Sequence, residues 1–442
     1  MAIAEADRLE ESAPTPPPPR RPSRRRAAAV PGAAVLTAVV LALLQGWAVA
    51  AWAESDGESL RDVLGKWDAG WMTQIAEFGY SGFSVSPDPA ERVEWQSVAF
   101  FPAFPVLVRI VSSPLAVFGV EDATFLGGLM VSAVASLVLA WGVACLALEL
   151  WQRSRPAAAR LLPQPSVRTR VAVSVAAAVL AFGAPMSFLY WMPFTEALFG
   201  ALAVWALVMM LRQRYLAASL LTLGAGLTRI TAIALVLTLC VAAVVELWQW
   251  SRRRTRFPLA ALLAPAIGYA GTALYLAWAD RQVADIGGYF AAQKRGWSSH
   301  VDLGAASWRW LREHPYPRDT SDHDAVAYVL SSWSIVLVAV LCVVSLWPLL
   351  RRWLPWQVWL TAILIAGSVL GSDGIMHARP RLLLMPVLLL LLPFVVRAVQ
   401  WALRERRGRA LRSALVASAG AAWCVLGCWV FCWMLIEFQY GI

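Results

Sequence analysis

Uncharged apolar runs of membrane-crossing length alternate with short charged clusters along nearly the whole chain. The first covers residues 27 to 53, and others begin near residues 123, 171, 197, 215, 230, 257, 325, 353, 382 and 413, each bounded by charges or by Pro and Gly. About 20 apolar residues cross a ~30 Å hydrocarbon layer as a helix, so the pattern predicts helical spans. Two runs are too long for a single span. Residues 171 to 211 are broken only by Glu196, with Pro185 and Pro193 nearby, and would reach about 60 Å as one helix. This predicts two helices with Glu196 near the turn. Residues 215 to 245, interrupted only by Arg229, would reach about 46 Å, which predicts two short helices meeting at Arg229. Residues 97 to 120 hold Pro102, Pro105, Pro114 and Arg109, which favour an interfacial or re-entrant helix over a crossing.

The chain therefore reads as an all-α membrane protein, a polytopic helical bundle of about eleven spans with its N-terminus in the cytoplasm and short interfacial helices in its external loops. With that parity, and with Arg397 inside a span set aside, the cytoplasmic pieces hold 24 basic and 7 acidic residues and the external side 13 and 21, as the positive-inside rule requires. Residues 1 to 26 carry acids, the run Pro16 to Pro19 and then five arginines, a composition expected to form a disordered basic tail. Residues 27 to 442 form one transmembrane domain. Its cytoplasmic connections are short and basic, whereas the external loops 52–122 and 280–324 are long and mixed. Large loops on one side of a bundle, without an evident internal repeat, suit an enzyme working on the outer face better than a two-halved transporter.

Composition agrees. At 442 residues, 59% hydrophobic, 15% charged and a mean hydropathy of +0.60, the chain has far more apolar surface than one soluble core could hide. A net charge of +10 would suggest nucleic acid in a soluble protein, but here the basic residues separate apolar runs, so no nucleic-acid partner is expected. The six cysteines all lie inside apolar runs, away from an oxidising loop. Cys424, Cys428 and Cys432 share a helix face but lack the remaining ligands of a metal site, and read as packing residues.

The candidate chemistry sits in the external pieces. Trp67, Trp71, Ile75 and Phe78 recur every three or four residues, which predicts a short helix on the membrane surface with an apolar stripe. Asp68 at its start is either an N-cap or a general base between two indole rings that stack on a sugar, Trp67 and Trp71. Glu196 follows Pro193 at the mouth of a span. It is a helix-dipole partner, a binder of substrate hydroxyls or an arginine's counter-ion. Arg229, with apolar neighbours on both sides, implies an anionic ligand or partner unless it snorkels to headgroups. His377, Arg379 and Arg381 form a cationic cluster against the general charge bias, suited to a phosphate through forked guanidinium bonds. The late loop offers Tyr289, Phe290, Gln293, Lys294, Arg295 and Trp297, rings and cations able to hold a glycan or lipid phosphate. Asp322, His323 and Asp324 form an Asp-x-Asp, weak as a divalent-metal signal. No phosphate-binding glycine loop, zinc signature or nucleophile elbow is visible. Neither a metal nor a cofactor is expected.

These motifs in this order resemble the PIG-V family, the second mannosyltransferase of glycosylphosphatidylinositol synthesis and its bacterial relatives, within the GT-C superfamily of polytopic glycosyltransferases. The resemblance rests on Trp67-Asp68 with Gly70-Trp71 and Gly79-Tyr80, on Phe100-Phe101-Pro102 to Arg109, on Pro193-Phe194-Thr195-Glu196, on Leu227-Thr228-Arg229, and on Pro380-Arg381 followed by Pro386. It implies a GT-C-like arrangement in a bacterial plasma membrane, with the active site under the first external loop. Implied too are a polyprenyl-phosphate-sugar donor, a hexose and by resemblance mannose, and a glycolipid or lipid-linked glycan acceptor. On this basis Asp68 is expected to act as base and Arg229, Arg379 and Arg381 to hold the donor phosphate. Trp67, Trp71, Glu196, Gln293, Lys294, Trp297 and His377 are expected to contact substrate. A lipid or glycan transporter is the rival class, and a noncatalytic subunit a third.

Overall fold

The computed structural model describes residues 24–80, 84–85, 95–154, 166–253, 257–316, 323–404 and 407–438. The expected tail lies outside the described residues as far as residue 23, and so does Asp322. The described chain is almost entirely helical, as the apolar periodicity predicts. Its β structure is a two-residue antiparallel ladder, Ser84–Val85 against Trp95–Gln96, and an isolated bridge between Val301 and Ser372.

In chain order the first helices are α1 Arg24–Ser55, α2 Leu60–Leu64, α3 Asp68–Phe78, α4 Ala103–Val117, α5 Ala123–Arg153 and α6 Val167–Phe182. The middle of the chain supplies α7 Glu196–Leu211, α8 Tyr215–Gly226, α9 Ile233–Arg253, α10 Leu259–Gln282, α11 Tyr289–Trp297 and α12 Ala305–Glu313. Then come α13 His323–Val344, α14 Leu346–Leu350, α15 Trp356–Leu370, α16 Arg379–Leu382, α17 Leu384–Ala402 and α18 Arg409–Cys432. Among the described residues, seven helical stretches are long and apolar enough to cross a membrane, beginning at Pro31, Ala123, Ile230, Leu259, Asp324, Leu384 and Arg409. This is the architecture of an integral membrane protein. Helices α4, α7, α8 and α15 are apolar but shorter, at 12 to 16 residues. At 1.5 Å per residue they reach only about 18–24 Å, so their ends stop within the depth of a bilayer.

The two overlong runs break where the polar residues stand. Helices α6 and α7 are separated by an irregular segment with a 3-10 turn, Ser187–Trp191, and Glu196 is the first residue of α7. Helix α8 ends at Gly226, and Arg229 lies in extended backbone before the 3-10 turn Ile230–Ala232 that opens α9. The second member of that pair is not short: α9 has 21 residues. Irregular backbone at this depth must find partners inside the protein. The hydroxyls of Ser132 and Ser136, both buried on α5, donate to the carbonyls of Met192 and Tyr190 at 2.5 Å each. A Cβ at Gly128 of α5 would lie 2.8 Å from Pro193, so glycine is what lets α5 approach the lead-in to Glu196. A Cβ at Gly271 of α10 would meet the Leu223 carbonyl of α8 at 2.5 Å.

Helix α3 differs from the stripe expected of it. Its buried face is Ala69, Met72, Ile75 and Ala76, of which Met72 and Ala76 cluster with Phe104 and Val108 of α4, while Phe78 is 57% exposed. Of the expected stripe Ile75 is buried, and Ala69, Met72 and Ala76 rather than the aromatic residues complete the face that seats the helix. Residues 103–117 form the helix that covers it.

Candidate functional site

Four ionisable side chains from four separated segments meet at the ends of the broken helices. Asp68 Oδ2 on α3 lies 2.9 Å from Arg381 Nη1 on α16. Arg381 Nε lies 3.4 Å from Glu196 Oε1 on α7. Arg229 Nη1 donates to the same Glu196 oxygen at 2.6 Å and to Thr195 Oγ1 at 3.1 Å. Glu196 is the most hidden of the four, at 5% side-chain exposure, and Asp68 the most open, at 22%. The face of the Phe194 ring lies 5.5 Å from the Arg381 guanidinium.

The geometry leaves capacity unused. Arg381 Nε and Nη1 meet the two carboxylates off the ideal hydrogen-bond direction, although at 2.9 Å Nη1 still interacts closely with Asp68, and Glu196 Oε2 is buried without a donor among the described residues. Buried charges of this kind are ordinarily hydrogen-bonded: the Arg229–Glu196 pair is, and the contacts of Arg381 are the looser ones, open to exchange for another anion. Burial pushes the Asp68 carboxyl above its ordinary value of 3.8; the attraction of Arg381 opposes the shift and the nearby Glu196 charge adds to it.

Of the open alternatives for these residues, Asp68 is not an N-cap. Trp67 holds that position, without a side-chain cap bond, and its backbone has φ 53 and ψ −120, a region bulky residues avoid. Such strain directly before a partly buried carboxylate is the kind found at functional sites. Glu196 does stand in a first helical turn, but its carboxylate is spent on two arginines. Arg229 turns inward to Glu196 rather than toward headgroups.

The remaining expected residues divide. Arg379 does not join the cluster: it is 2% exposed and donates to the carbonyls of Val369 and Ser372 and to the Met376 sulfur. Residues two apart on a helix point away from one another, which is why the paired arginines diverge. His377 packs its ring 4.9 Å from Phe438 and 6.3 Å from Tyr328, in a separate aromatic group. Trp71 stacks on Phe100 at 5.4 Å, and Trp297 closes edge-on to both, at 6.3 and 5.5 Å. The two indoles thus share one platform on the loop side, while Trp67 packs against the main core. Lys294 is exposed beside the platform.

Gln293 has a structural task. It donates to the Ala99 carbonyl at 3.2 Å and to the Tyr289 hydroxyl at 3.0 Å. Tyr80 donates to the Phe100 carbonyl at 2.7 Å, and Tyr275 contacts the carbonyls of Val98 and Phe100 at 2.8 and 2.6 Å. Three elements thus hold residues 98–100, and Ala103 N then donates to the Leu227 carbonyl at 2.8 Å, fixing the start of α4 two residues from Arg229. Thr195, Phe194, Tyr80 and Tyr275 were not expected at the site. Thr195 and Phe194 lie in the Pro193–Glu196 motif and Tyr80 in Gly79-Tyr80, usable signals; Tyr275 carries none.

Among the described residues no group of three or more His, Cys, Asp or Glu could hold a metal ion. Comparison of the chain with known protein families, with curated proteins and with solved structures finds no match.

Proposed function

We propose that the protein is an integral-membrane glycosyltransferase that moves a hexose, mannose by its resemblance to the PIG-V family, from a polyprenyl-phosphate-sugar donor to a hydroxyl of a glycolipid or lipid-linked glycan. The observation that carries this is Arg381, ion-paired on two sides, next to Asp68, the more open of its two carboxylates, whose affinity for protons is raised. Guanidinium donors beside a base are what displacement at an anomeric carbon needs. The acceptor hydroxyl attacks that carbon, forming the new C–O bond as the bond to the phosphate oxygen breaks, with inversion. Asp68 takes the hydroxyl proton, and Arg381 and Arg229 stabilise the charge gathering on the departing polyprenyl phosphate. The Trp71–Phe100–Trp297 platform offers sugar-stacking surface. An apolar hollow of about 320 Å³ lined by Leu107, Val131, Leu198 and Trp205 begins half a turn beyond Glu196 and suits a lipid chain.

The test is purified protein in detergent with polyprenyl-phosphate-mannose and a membrane lipid extract, read by mass spectrometry. A lipid heavier by one hexose is expected, formed equally in the presence of a chelator because the arginines can neutralise the leaving group. Asp68→Asn should abolish it with the protein still folded. A transporter gives no product in detergent, where no second compartment exists, and near-normal transfer by Asp68→Asn removes Asp68 from the role of base.

A further inference from the structure

We infer that Asp68 is the resting occupant of the anion site on Arg381, and that the phosphodiester of the donor displaces it, so that the base is released only once the donor is seated. This rests on the function proposed above.

The four charges of the cluster, Asp68, Glu196, Arg229 and Arg381, sum to zero. An anion added without rearrangement would leave net negative charge in a partly desolvated site, which is costly. It must therefore take a guanidinium contact from one of the acids. Glu196 is the firmer: it is hidden, lies 2.6 Å from Arg229 as well as 3.4 Å from Arg381, and begins a helix whose lead-in is bonded to α5. Asp68 is more open, its ion pair is with Arg381 alone, and it follows the strained Trp67. Asp68 is the group that yields.

The exchange orders the reaction. Before the donor binds, the carboxylate is held at Arg381 and cannot accept a proton from the acceptor hydroxyl. Once the phosphodiester takes Arg381, Asp68 loses its attractive partner and gains a like charge, and both changes favour its protonated form. The charged groups facing it are Arg381 from α16, Glu196 from α7 and Arg229 after α8; Lys66, two residues earlier, is engaged with Glu58 at 2.6 Å and the Leu435 carbonyl at 3.3 Å. Donor binding should therefore draw a proton onto Asp68 wherever the pH lies between its free and bound values; above the bound value Asp68 stays ionised and, freed from Arg381, is the stronger base.

The probe is farnesyl methyl phosphate, a phosphodiester with no second acidic proton, titrated calorimetrically into the full chain in detergent at a series of pH values. Wild-type affinity should tighten as pH falls, by no more than about tenfold per pH unit, the limit for one proton. Asp68→Asn should bind about threefold tighter than wild type at neutral pH, the scale of a partly exposed ion pair, and should lose the pH slope. Arg381→Gln should weaken binding. A flat pH response in wild type, which needs no variant, overturns the exchange, as does Asp68→Asn binding no tighter while Arg381 is still required; the donor site itself survives either result. Absence of any Arg381-dependent binding overturns the exchange and the proposed function together.

Discussion

Arg379 and Arg381 stand two positions apart on one four-residue helix and have opposite fates. Their cationic character at a span mouth is legible in the sequence. Their divergence is not, because a helix this short has no periodic pattern around it to show which side faces inward. Arg379 is spent on the carbonyls of Val369 and Ser372; Val369 also accepts from the Ser372 hydroxyl, so Arg379→Met should leave mainly the half-buried Ser372 carbonyl without its donor and cost about 1 kcal/mol, seen as a lower melting temperature in detergent. An unchanged melt would show that those carbonyls find other donors. Asp68 makes the other residue-scale expectation. Its carboxyl is raised above 3.8 mainly by burial, and a base works only when ionised. Transfer should therefore fail on acidification at a pH above the ordinary aspartate range, and an acid limb at or below that range would contradict the assignment. The stability sign runs the other way: a carboxyl raised in the folded state favours folding while protonated, and that contribution is lost as pH climbs through the raised value.

At the scale of elements, run length against bilayer thickness identifies both broken helix pairs, since 41 and 31 nearly uncharged residues cannot be straight spans. The connections that make a site of those breaks are invisible by the same logic. Tyr275 and Gln293 reach carbonyls 175 and 194 residues away, and Ala103 N reaches Leu227, through side chain–backbone or backbone bonds that any sequence pattern would permit. The misread face of α3 has a similar cause: its aromatic stripe is the more conspicuous one, yet the packing against α4 is made by Met72 and Ala76. Glycine positions test this level. Gly271→Val would set a Cβ within 2.5 Å of the Leu223 carbonyl, forcing α10 from α8 at a cost of about 1–3 kcal/mol and weakening phosphodiester binding, because α8 leads into Arg229. Gly367→Ala, on α15 with open space around its Cβ, should instead be neutral or stabilising by up to about 1 kcal/mol. Equal melts for the two variants would refute the packing argument.

The whole molecule has two chemically different ends. At one, α3 carries Asp68 of the acid–arginine cluster, Trp297 of α11 packs on Trp71 of α3, and Arg309 of α12 lies 3.4 Å from Asp373 in the segment leading to α16. At the other, the connections are rich in arginine, as at Arg212, which pairs with Glu149 at 2.8 Å, and along the last turn of α9. Arginine-rich short connections tend to stay in the cytoplasm, and on the function proposed above the cluster is expected on the external side, open to a polyprenyl-linked sugar presented outside the cell. Paired cysteine substitutions decide the orientation. Glu313→Cys on α12 should react with a membrane-impermeant maleimide in intact cells, and Ser251→Cys at the end of α9 only after permeabilisation, each measured against the wild-type chain with its six native cysteines. The reverse result would turn Asp68 and Arg381 toward the cytosol. Sugar transfer would then need a donor displayed on the inner leaflet, while the exchange of Asp68 for a phosphodiester on Arg381 would stand, since it depends on the four charges and not on the side they face.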